Sequence, residues 1–259
     1  MLKAIAERLS RSMCFRYRLP LEFGGCRMFV TPEAGLRYWF PGAVLRRDKN
    51  MLKNAAEWIK PGSVVWDVGA NMGLFSFMAA GLSGPKGRVY AFEPDAVMIR
   101  LLRRSARLNP QAAPVEVIPC AVGASVSLAR FNIANHNRAA SFLEGFGTGL
   151  TGGVRETQTV LTVPLDWIAE HIPAPDVLKI DVEGAELQVF LDAACMLNAK
   201  RPVIIYEAQM ANGEEIGPML RKLGYALYNA DLPPTPGERP MGTGFSTLAV
   251  QNLESPQHT

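Results

Sequence analysis

Short, strongly apolar runs alternate along the chain with longer segments in which apolar positions recur at helical spacing. The apolar runs lie within residues 64–73, 90–94, 115–120, 177–186 and 203–207. Helices are predicted around them, including one from about residue 50 to residue 59. Buried strands that alternate with helices are typical of parallel sheets covered on both faces. The pattern therefore predicts a doubly wound, Rossmann-like α/β sheet.

The C-terminal part of the pattern extends this sheet to seven strands. Residues 214–223 are predicted as a helix, residues 225–229 as a sixth strand, and residues 246–250 as a seventh strand that we expect to be antiparallel. The connection at 231–244 contains four prolines, too many for a helix or a central strand. Because it starts at the rim where such sheets bind ligands, it is a candidate wall of the substrate pocket.

The first strand of the sheet ends in a glycine loop. Asp67 is followed by Gly69, Asn71 and Gly73, and the next strand ends in Glu93. The glycines permit close approach of the backbone to a ligand and of the helix to the strand, and Asn tolerates left-handed backbone angles. Glu93 can accept hydrogen bonds from both hydroxyls of a ribose. Since the spacing is not the G-x-G-x-x-G of dinucleotide sites, the pair predicts a different nucleoside cofactor.

Three motifs lie at the ends of these strands: D-V-G-A-N-M-G at residues 67–73, F-E-P at residues 92–94 and K-I-D-V-E-G-A-E at residues 179–186. In these motifs the chain resembles the FkbM family of class I S-adenosylmethionine methyltransferases. Weaker matches are residues 137–141, residues 163–166 and Glu207. The resemblance covers roughly residues 50–210. It implies a class I methyltransferase sheet and S-adenosyl-L-methionine as the cofactor.

The motifs and the resemblance together define a predicted cofactor site. Asp67 is expected near the amino group of the methionine moiety, or else as a strand-end carboxylate that caps the following helix. The predicted cofactor-binding residues are Asp67, Gly69, Ala70, Asn71, Gly73, Glu93, Pro94, Ala121 and Asp181.

Three carboxylates are predicted at the reaction rim, the edge of the sheet where its parallel strands end and the methyl group would be transferred. Asp181 and Glu183 flank the end of the fourth main strand, and Glu207 ends the fifth. A carboxylate there can bind the amino group, deprotonate an alcohol or share a divalent cation. The sequence does not separate these roles and leaves metal use open. Glu186, one helical turn after Glu183, is expected to stabilise the positive N-terminal end of its helix.

Residues 134–158, which are rich in glycine, are predicted to be a long flexible loop. Loops of this length are usually functional or disordered, so it is either a lid over the acceptor or a disordered linker. His136, within it, is the one plausible histidine base, although a lone loop histidine is more often only solvated.

The first 49 residues are predicted to cap a methyltransferase domain at residues 50–259. Residues 1–18 combine apolar and basic positions as an amphipathic helix does. Such a helix can contact an anionic membrane, but packing against the domain or against the second subunit of a homodimer is favoured. Residues 27–30 and 36–40 are predicted to form a small hairpin on the cofactor side.

Composition limits the class of protein and its partners. The chain has 259 residues, of which 48% are hydrophobic, and a formal net charge of only +3. Nucleic acid is therefore an unlikely partner, and the four arginines at helical spacing from Arg100 to Arg107 are expected to be a solvated face. The four scattered cysteines favour a reducing compartment, and we predict a cytoplasmic location.

The resemblance implies O-methylation of a hydroxyl on a small molecule, either a natural product or a saccharide. Two alternatives stay open. One is methylation of an amine or of nucleic acid, and the other is a non-catalytic scaffold that binds S-adenosylmethionine without transferring its methyl group.

Overall fold

The computed structural model describes residues 13–135, 137–147, 152–208, 210–234 and 242–251. The strands are β1 (Phe15–Arg18), β2 (Arg27–Val30), β3 (Val64–Val68), β4 (Arg88–Phe92), β5 (Val115–Ile118), β6 (Ala121–Val122), β7 (Ser127–Ala134), β8 (Phe142–Leu143), β9 (Val154–Val163), β10 (Val177–Ile180), β11 (Val203–Glu207), β12 (Tyr225–Asn229) and β13 (Ser246–Gln251). The α-helices are α1 (Lys49–Ala56), α2 (Leu74–Ser83), α3 (Ala96–Ala106), α4 (Leu165–Ala169), α5 (Glu186–Leu191), α6 (Ala194–Lys200) and α7 (Met210–Lys222).

Seven strands form the central sheet in the order β12-β13-β11-β10-β3-β4-β5. The five strands from β11 to β5 in this order are parallel, and β13 is antiparallel to both of its neighbours. The predicted α/β sheet and its antiparallel seventh strand are confirmed. The order of the strands reverses between β3 and β10, so the carboxyl ends of these two strands form the crevice in which such sheets bind ligands.

Apolar side chains on both faces of the sheet explain why its strands are continuous hydrophobic runs. In β3, Val65 packs with Phe77 and Leu101 on the face covered by α2 and α3. The next residue, Trp66, packs with Phe190 and Leu220 on the opposite face. This alternation follows from the two-residue period of a strand and makes the sheet doubly wound.

The N-terminal segment differs from its prediction. Residues 15–18, expected in a helix, form β1, which pairs with β2 as an antiparallel ribbon. Leu36–Trp39 and Pro41–Ala43 form 3₁₀ turns, in place of the second strand of a hairpin predicted at residues 36–40. The aromatic residues that suggested a strand at 36–40 instead contact neighbouring elements, as Trp39 does with Phe15. Residues 1–12 of the predicted helix lie outside the described residues, and the domain division at residue 49 stays a prediction.

A second sheet, in the order β6-β9-β7-β8, takes up part of the predicted loop. Residues 154–158 belong to β9, which pairs antiparallel with β7 along most of its length. The start of β9 is exposed or half-buried on both faces, so it lacks the apolar alternation that marks a strand in the sequence. The prediction of a flexible loop across residues 134–158 is therefore wrong for its end. His136 and residues 148–151 lie outside the described residues.

Candidate functional site

The loop after β3 is shaped by close backbone packing. Gly69 has a φ of +75°, and a Cβ atom there would lie 1.8 Å from the carbonyl oxygen of Asp181. Gly73, with a φ of +98°, would direct a Cβ atom to within 2.6 Å of Leu102 and Phe77. Gly69 is thus required by the neighbouring strand end, and Gly73 by the packing of α2 on α3. Asn71 has a φ of 52°, the left-handed conformation that its sequence position suggested.

Glu93 lies at the end of β4 with a buried carboxylate. Its Oε2 accepts a hydrogen bond of 2.7 Å from the Asn71 backbone N–H, and its Oε1 accepts one of 2.7 Å from the Asp95 N–H. Burial raises the pKa of Glu93 to about 8, although the two N–H donors favour the ionised form. Each oxygen keeps a further lone pair, so Glu93 can accept additional hydrogen bonds from a ligand.

A first cleft lies over Glu93 and the Gly69 loop. Its other walls come from the segment that follows β10 and from the second sheet, which contributes Phe131 and Leu143. The Oδ1 atom of Asn71 is buried and has no hydrogen-bond partner among the described residues. A buried acceptor of this kind is costly unless a ligand or water donates to it. The carboxylate and this unpaired acceptor fit a nucleoside with ribose hydroxyls.

A second cleft shares part of its wall with the first. Gly69, Asn71, Ala139, Asp181 and Glu183 line both. The remaining wall carries both signs of charge, from Arg37, Arg47, Asp48, Lys179 and Glu207. A ligand in the first cleft and a second reactant in this one would therefore meet at Asp181 and Glu183.

Lys179 is the charge centre beneath the two clefts. Its Nζ donates to the Gly69 carbonyl oxygen at 3.0 Å and to Asp181 Oδ2 at 3.2 Å, and it lies 3.4 Å from Asp67 Oδ1. The lysine side chain is 6% exposed and the Asp67 side chain 0%. Burial alone would lower the pKa of Lys179, but the surrounding carboxylates raise it well above its usual range. This ammonium group therefore neutralises the strand ends that carry the site.

Glu183 and Glu207 are carboxyl groups with strongly shifted acidity. Burial, reinforced by the charge of Asp181, raises the pKa of Glu183 to about 8 and that of Glu207 to about 9. Glu183 also has a φ of 54°, which costs a residue with a side chain about 1–2 kcal/mol. Strain of this kind is found where the surrounding structure fixes a functional residue.

A buried ion network attaches the second sheet to the first cleft. Arg138, which lines the cleft, lies 2.6 Å from Asp95 Oδ2 and 3.0 Å from Glu33 Oε1. Glu33 also pairs with Arg155 of β9 at 2.5 Å. Asp95 in turn caps α3 by accepting from the Val97 N–H. The network joins the N-terminal segment, the second sheet and the strand end that bears Glu93.

Comparison with known proteins identifies the family. A family model described as the methyltransferase FkbM domain matches residues 67–229, more than half of the chain. The chain belongs to the FkbM methyltransferase family. The predicted resemblance is thus confirmed, and the matched range includes the glycine loop, Glu93 and the three rim carboxylates.

Two curated relatives of this FkbM chain are similar over part of their length. The hexuronic acid methyltransferase AglP of Haloferax volcanii is 30% identical over 163 residues, which cover 62% of this chain and 62% of the relative. The 31-O-demethyl-FK506 methyltransferase FkbM of Streptomyces tacrolimicus is 34% identical over 168 residues, covering 55% of this chain and 63% of the relative. The chain thus spans less than two thirds of either relative. A crystal structure of methyltransferase FkbM from Methylobacillus flagellatus is 15% identical, with a TM-score of 0.47, and covers 76% of this chain and 51% of that chain.

Most of the predicted site residues of this FkbM chain come together at the two clefts. The first cleft is lined by Gly69, Asn71, Glu93, Pro94, Ala121, Asp181 and Glu183. The second cleft is lined by Ala70 and Glu207, and it shares Gly69, Asn71, Asp181 and Glu183 with the first. Asp67 and Gly73 line neither of these clefts. Asp67 is fully buried and accepts from the Ser76 hydroxyl at 2.5 Å, and no backbone N–H group of the described residues donates to its carboxylate.

Glu186 and His136 were also predicted from the sequence as candidates near the site. Glu186, at the start of α5, is buried and accepts hydrogen bonds from the Gly184 N–H and the Asn212 amide. His136 lies outside the described residues.

Among the residues that the structure describes, no group of three or more His, Cys, Asp or Glu side chains could hold a metal ion. No described helix has the length and apolar character needed to cross a membrane.

Sequence reasoning missed several residues of the clefts. Lys179 is a cation inside an otherwise apolar strand, a signal that was available in the sequence. Arg37, Arg47 and Asp48 come from the N-terminal segment, and only the folded structure brings them to the second cleft. Arg138 lay within a recognised motif, but its partners are distant in the chain.

Proposed function

We propose that this protein is an S-adenosylmethionine-dependent methyltransferase that modifies a hydroxyl group of a small molecule, either a natural product or a saccharide. The observation that carries the proposal is the pair of joined clefts, one built around Glu93 and the other around a cluster of half-buried carboxyl groups. Membership of the FkbM family supports the activity. The names of the two relatives, which specify hexuronic acid and 31-O-demethyl-FK506, support the class of acceptor.

The first cleft supplies the groups that would hold the cofactor. Glu93 would accept from the ribose hydroxyls, the Asn71 amide oxygen would accept from a polar hydrogen, and Asp181 would attract the positively charged methionine end. When bound, S-adenosylmethionine supplies an electrophilic methyl group on a sulfonium centre. Asp67 would act indirectly, by holding Lys179 and thereby the loop at Gly69.

The second cleft supplies the groups that would act on the acceptor. Asp181 is paired with Lys179, whereas Glu183 and Glu207 have no ion pair among the described residues. Their pKa values of about 8 and 9 make them effective bases once ionised, since a general base works best with a pKa near the operating pH. We assign to them the removal of the hydroxyl proton as the acceptor oxygen attacks the methyl carbon.

Cofactor binding tests the first part of the proposal. Titration calorimetry with S-adenosylmethionine and its demethylated product, with and without magnesium, should give binding in about the micromolar range that Glu93→Ala abolishes. Glu116→Ala, on the neighbouring strand β5 and exposed, is the matched control and should bind as the wild type does. Equal binding by wild type and Glu93→Ala would contradict the assignment of the first cleft.

Turnover tests the second part. With a pool of hexuronic acids and hydroxylated macrolides, the wild type should accumulate the demethylated cofactor together with an O-methylated product. Glu207→Gln should keep cofactor binding and lose about 10²–10⁴-fold in rate, as expected for a general base. Exposed Glu214→Gln on α7 is the control for the same chemical change. Binding without turnover of any acceptor would favour the scaffold, and methylation of amines alone would exclude the hydroxyl.

We also propose a cytoplasmic location. Cys14, Cys26, Cys120 and Cys195 are all free thiols, which supports a reducing compartment.

A further inference from the structure

One face of the molecule carries seven exposed arginines. They come from the ribbon of β1 and β2, from α3 and from the turn that follows α3; they are Arg16, Arg18, Arg27, Arg100, Arg103, Arg104 and Arg107. We call this set the arginine face. The formal net charge of the whole chain is only +3, so the remainder of the chain is net negative. Positive charge is therefore concentrated here, away from the clefts.

The arginine face is one continuous surface, because β2 is fixed to α3. The Phe29 N–H donates to the Ser105 hydroxyl at 2.9 Å, and the Arg27 N–H donates to Asn109 Oδ1 at 2.8 Å. The Arg27 guanidinium also donates to the Leu108 carbonyl oxygen. Backbone and side-chain hydrogen bonds thus hold the two basic elements side by side.

Like charges on this face are held close together. Arg18 and Arg27 are directly opposite each other in the ribbon, an arrangement that destabilises a strand pair. The guanidinium carbons of Arg16 and Arg104 lie 5.8 Å and 4.2 Å from the centre of the same Phe29 ring. Within the described part of the chain, none of the seven forms an ion pair, whereas Arg37, Arg88, Arg130, Arg138 and Arg155 all do. An external anion would relieve this repulsion.

We propose that the arginine face docks on the surface of an anionic lipid membrane. Exposed apolar side chains lie at the two ends of the ribbon that carries part of the face, since Met13, before β1, is 37% exposed and Leu21, in the turn between β1 and β2, is 81% exposed. Basic residues interleaved with exposed apolar ones suit the charged and apolar layers of a lipid interface. The aromatic ring within the face, Phe29, is half-buried between two guanidinium groups and so is not free to stack on a nucleic-acid base. Exposed Glu22, beside Leu21, is a carboxylate in the same turn.

Vesicle co-sedimentation of the full chain tests this proposal. Vesicles of phosphatidylcholine mixed with phosphatidylglycerol should retain the protein, vesicles of phosphatidylcholine alone should not, and binding should weaken as salt rises. Replacing Arg100, Arg103 and Arg107 together by Ser should weaken partitioning by about fivefold for each arginine removed, on the order of a hundredfold in all. Arg104 is kept because it packs on Phe29.

The matched control replaces the exposed Lys200, Arg221 and Lys222 by Ser. It removes the same charge from α6 and α7, and α7 packs on β12, the edge strand farthest from β5. This variant should bind vesicles within about twofold of the wild type. Cofactor binding by calorimetry checks that both variants are folded and is independent of the membrane.

Three results would overturn the proposal. They are no binding of the wild type to anionic vesicles, an equal loss in both triple variants, and unchanged binding by the variant of the arginine face. Preference for a single-stranded oligonucleotide over anionic vesicles at equal phosphate would identify nucleic acid as the partner instead.

Discussion

Replacing Lys179 by Met should destabilise the protein strongly. The change keeps the length of the side chain and removes the ammonium group that lies 3.4 Å from Asp67 and 3.2 Å from Asp181. Asp67 is fully buried, and within the described ranges the Ser76 hydroxyl is the hydrogen-bond donor left to its carboxylate. Removing one partner of a buried ion pair costs about 3–5 kcal/mol, because the other charge is left uncompensated.

The loss can be measured by urea unfolding and by calorimetric melting. At about 2–4 °C per kcal/mol for a domain of this size, the expected fall in Tm is roughly 6–20 °C. Adding Asp67→Asn should restore about 1–3 kcal/mol, because the buried charge is then removed along with its partner. Lys200→Met is the control, since Lys200 pairs with Asp176 at 2.7 Å but both side chains are exposed. Its effect should stay within about 0–1 kcal/mol. A loss below about 1 kcal/mol for Lys179→Met, or no recovery in the double variant, would refute the reasoning.

Two further predictions concern the same strand ends. Gly69 and Gly62 both have a positive φ, which costs a residue with a side chain about 1–2 kcal/mol. Gly69→Ala should nevertheless destabilise the protein more than Gly62→Ala, because only at Gly69 does the new Cβ atom meet Asp181. Equal falls in Tm would contradict this account. Folding raises the pKa values of Glu183 and Glu207 from 4.5 to about 8 and about 9. The stabilisation contributed by their protonated forms is therefore complete below pH 4.5 and is lost as the pH rises towards these two values. Urea unfolding should therefore show stability falling over this range, and falling less steeply in Glu207→Gln; parallel profiles would exclude Glu207 as a contributor.

The sheet could be predicted from the sequence because its strands are buried on both faces. Runs such as residues 177–180 and 203–206 are largely apolar, as strands covered on both faces are. Their alternation with helices then placed the carboxyl ends of the strands at one rim. Glu93 and Asp181 were identifiable for the same reason, since each directly follows such a run.

The second sheet could not be predicted in the same way. The first part of β9 is polar on both faces, and its partner β7 begins with exposed residues. Its stability comes from pairing and from contacts such as Arg155 with Glu33, which are 122 positions apart in the chain. Periodicity within one segment contains no information about partners that distant, and the glycines of residues 145–153 favoured a loop.

The charge arrangement of the site also depends on the fold and not on local pattern. Each motif contributes a carboxylate to the site, and Lys179 is the cation that compensates the negative charges of Asp67 and Asp181. Lys179 holds the backbone at Gly69 and the side chain of Asp181, two residues that line both clefts. A displacement there would alter the cofactor site and the acceptor site together. Variants at Lys179 should thus change the KM for both substrates, whereas Glu93→Ala should act through the cofactor alone.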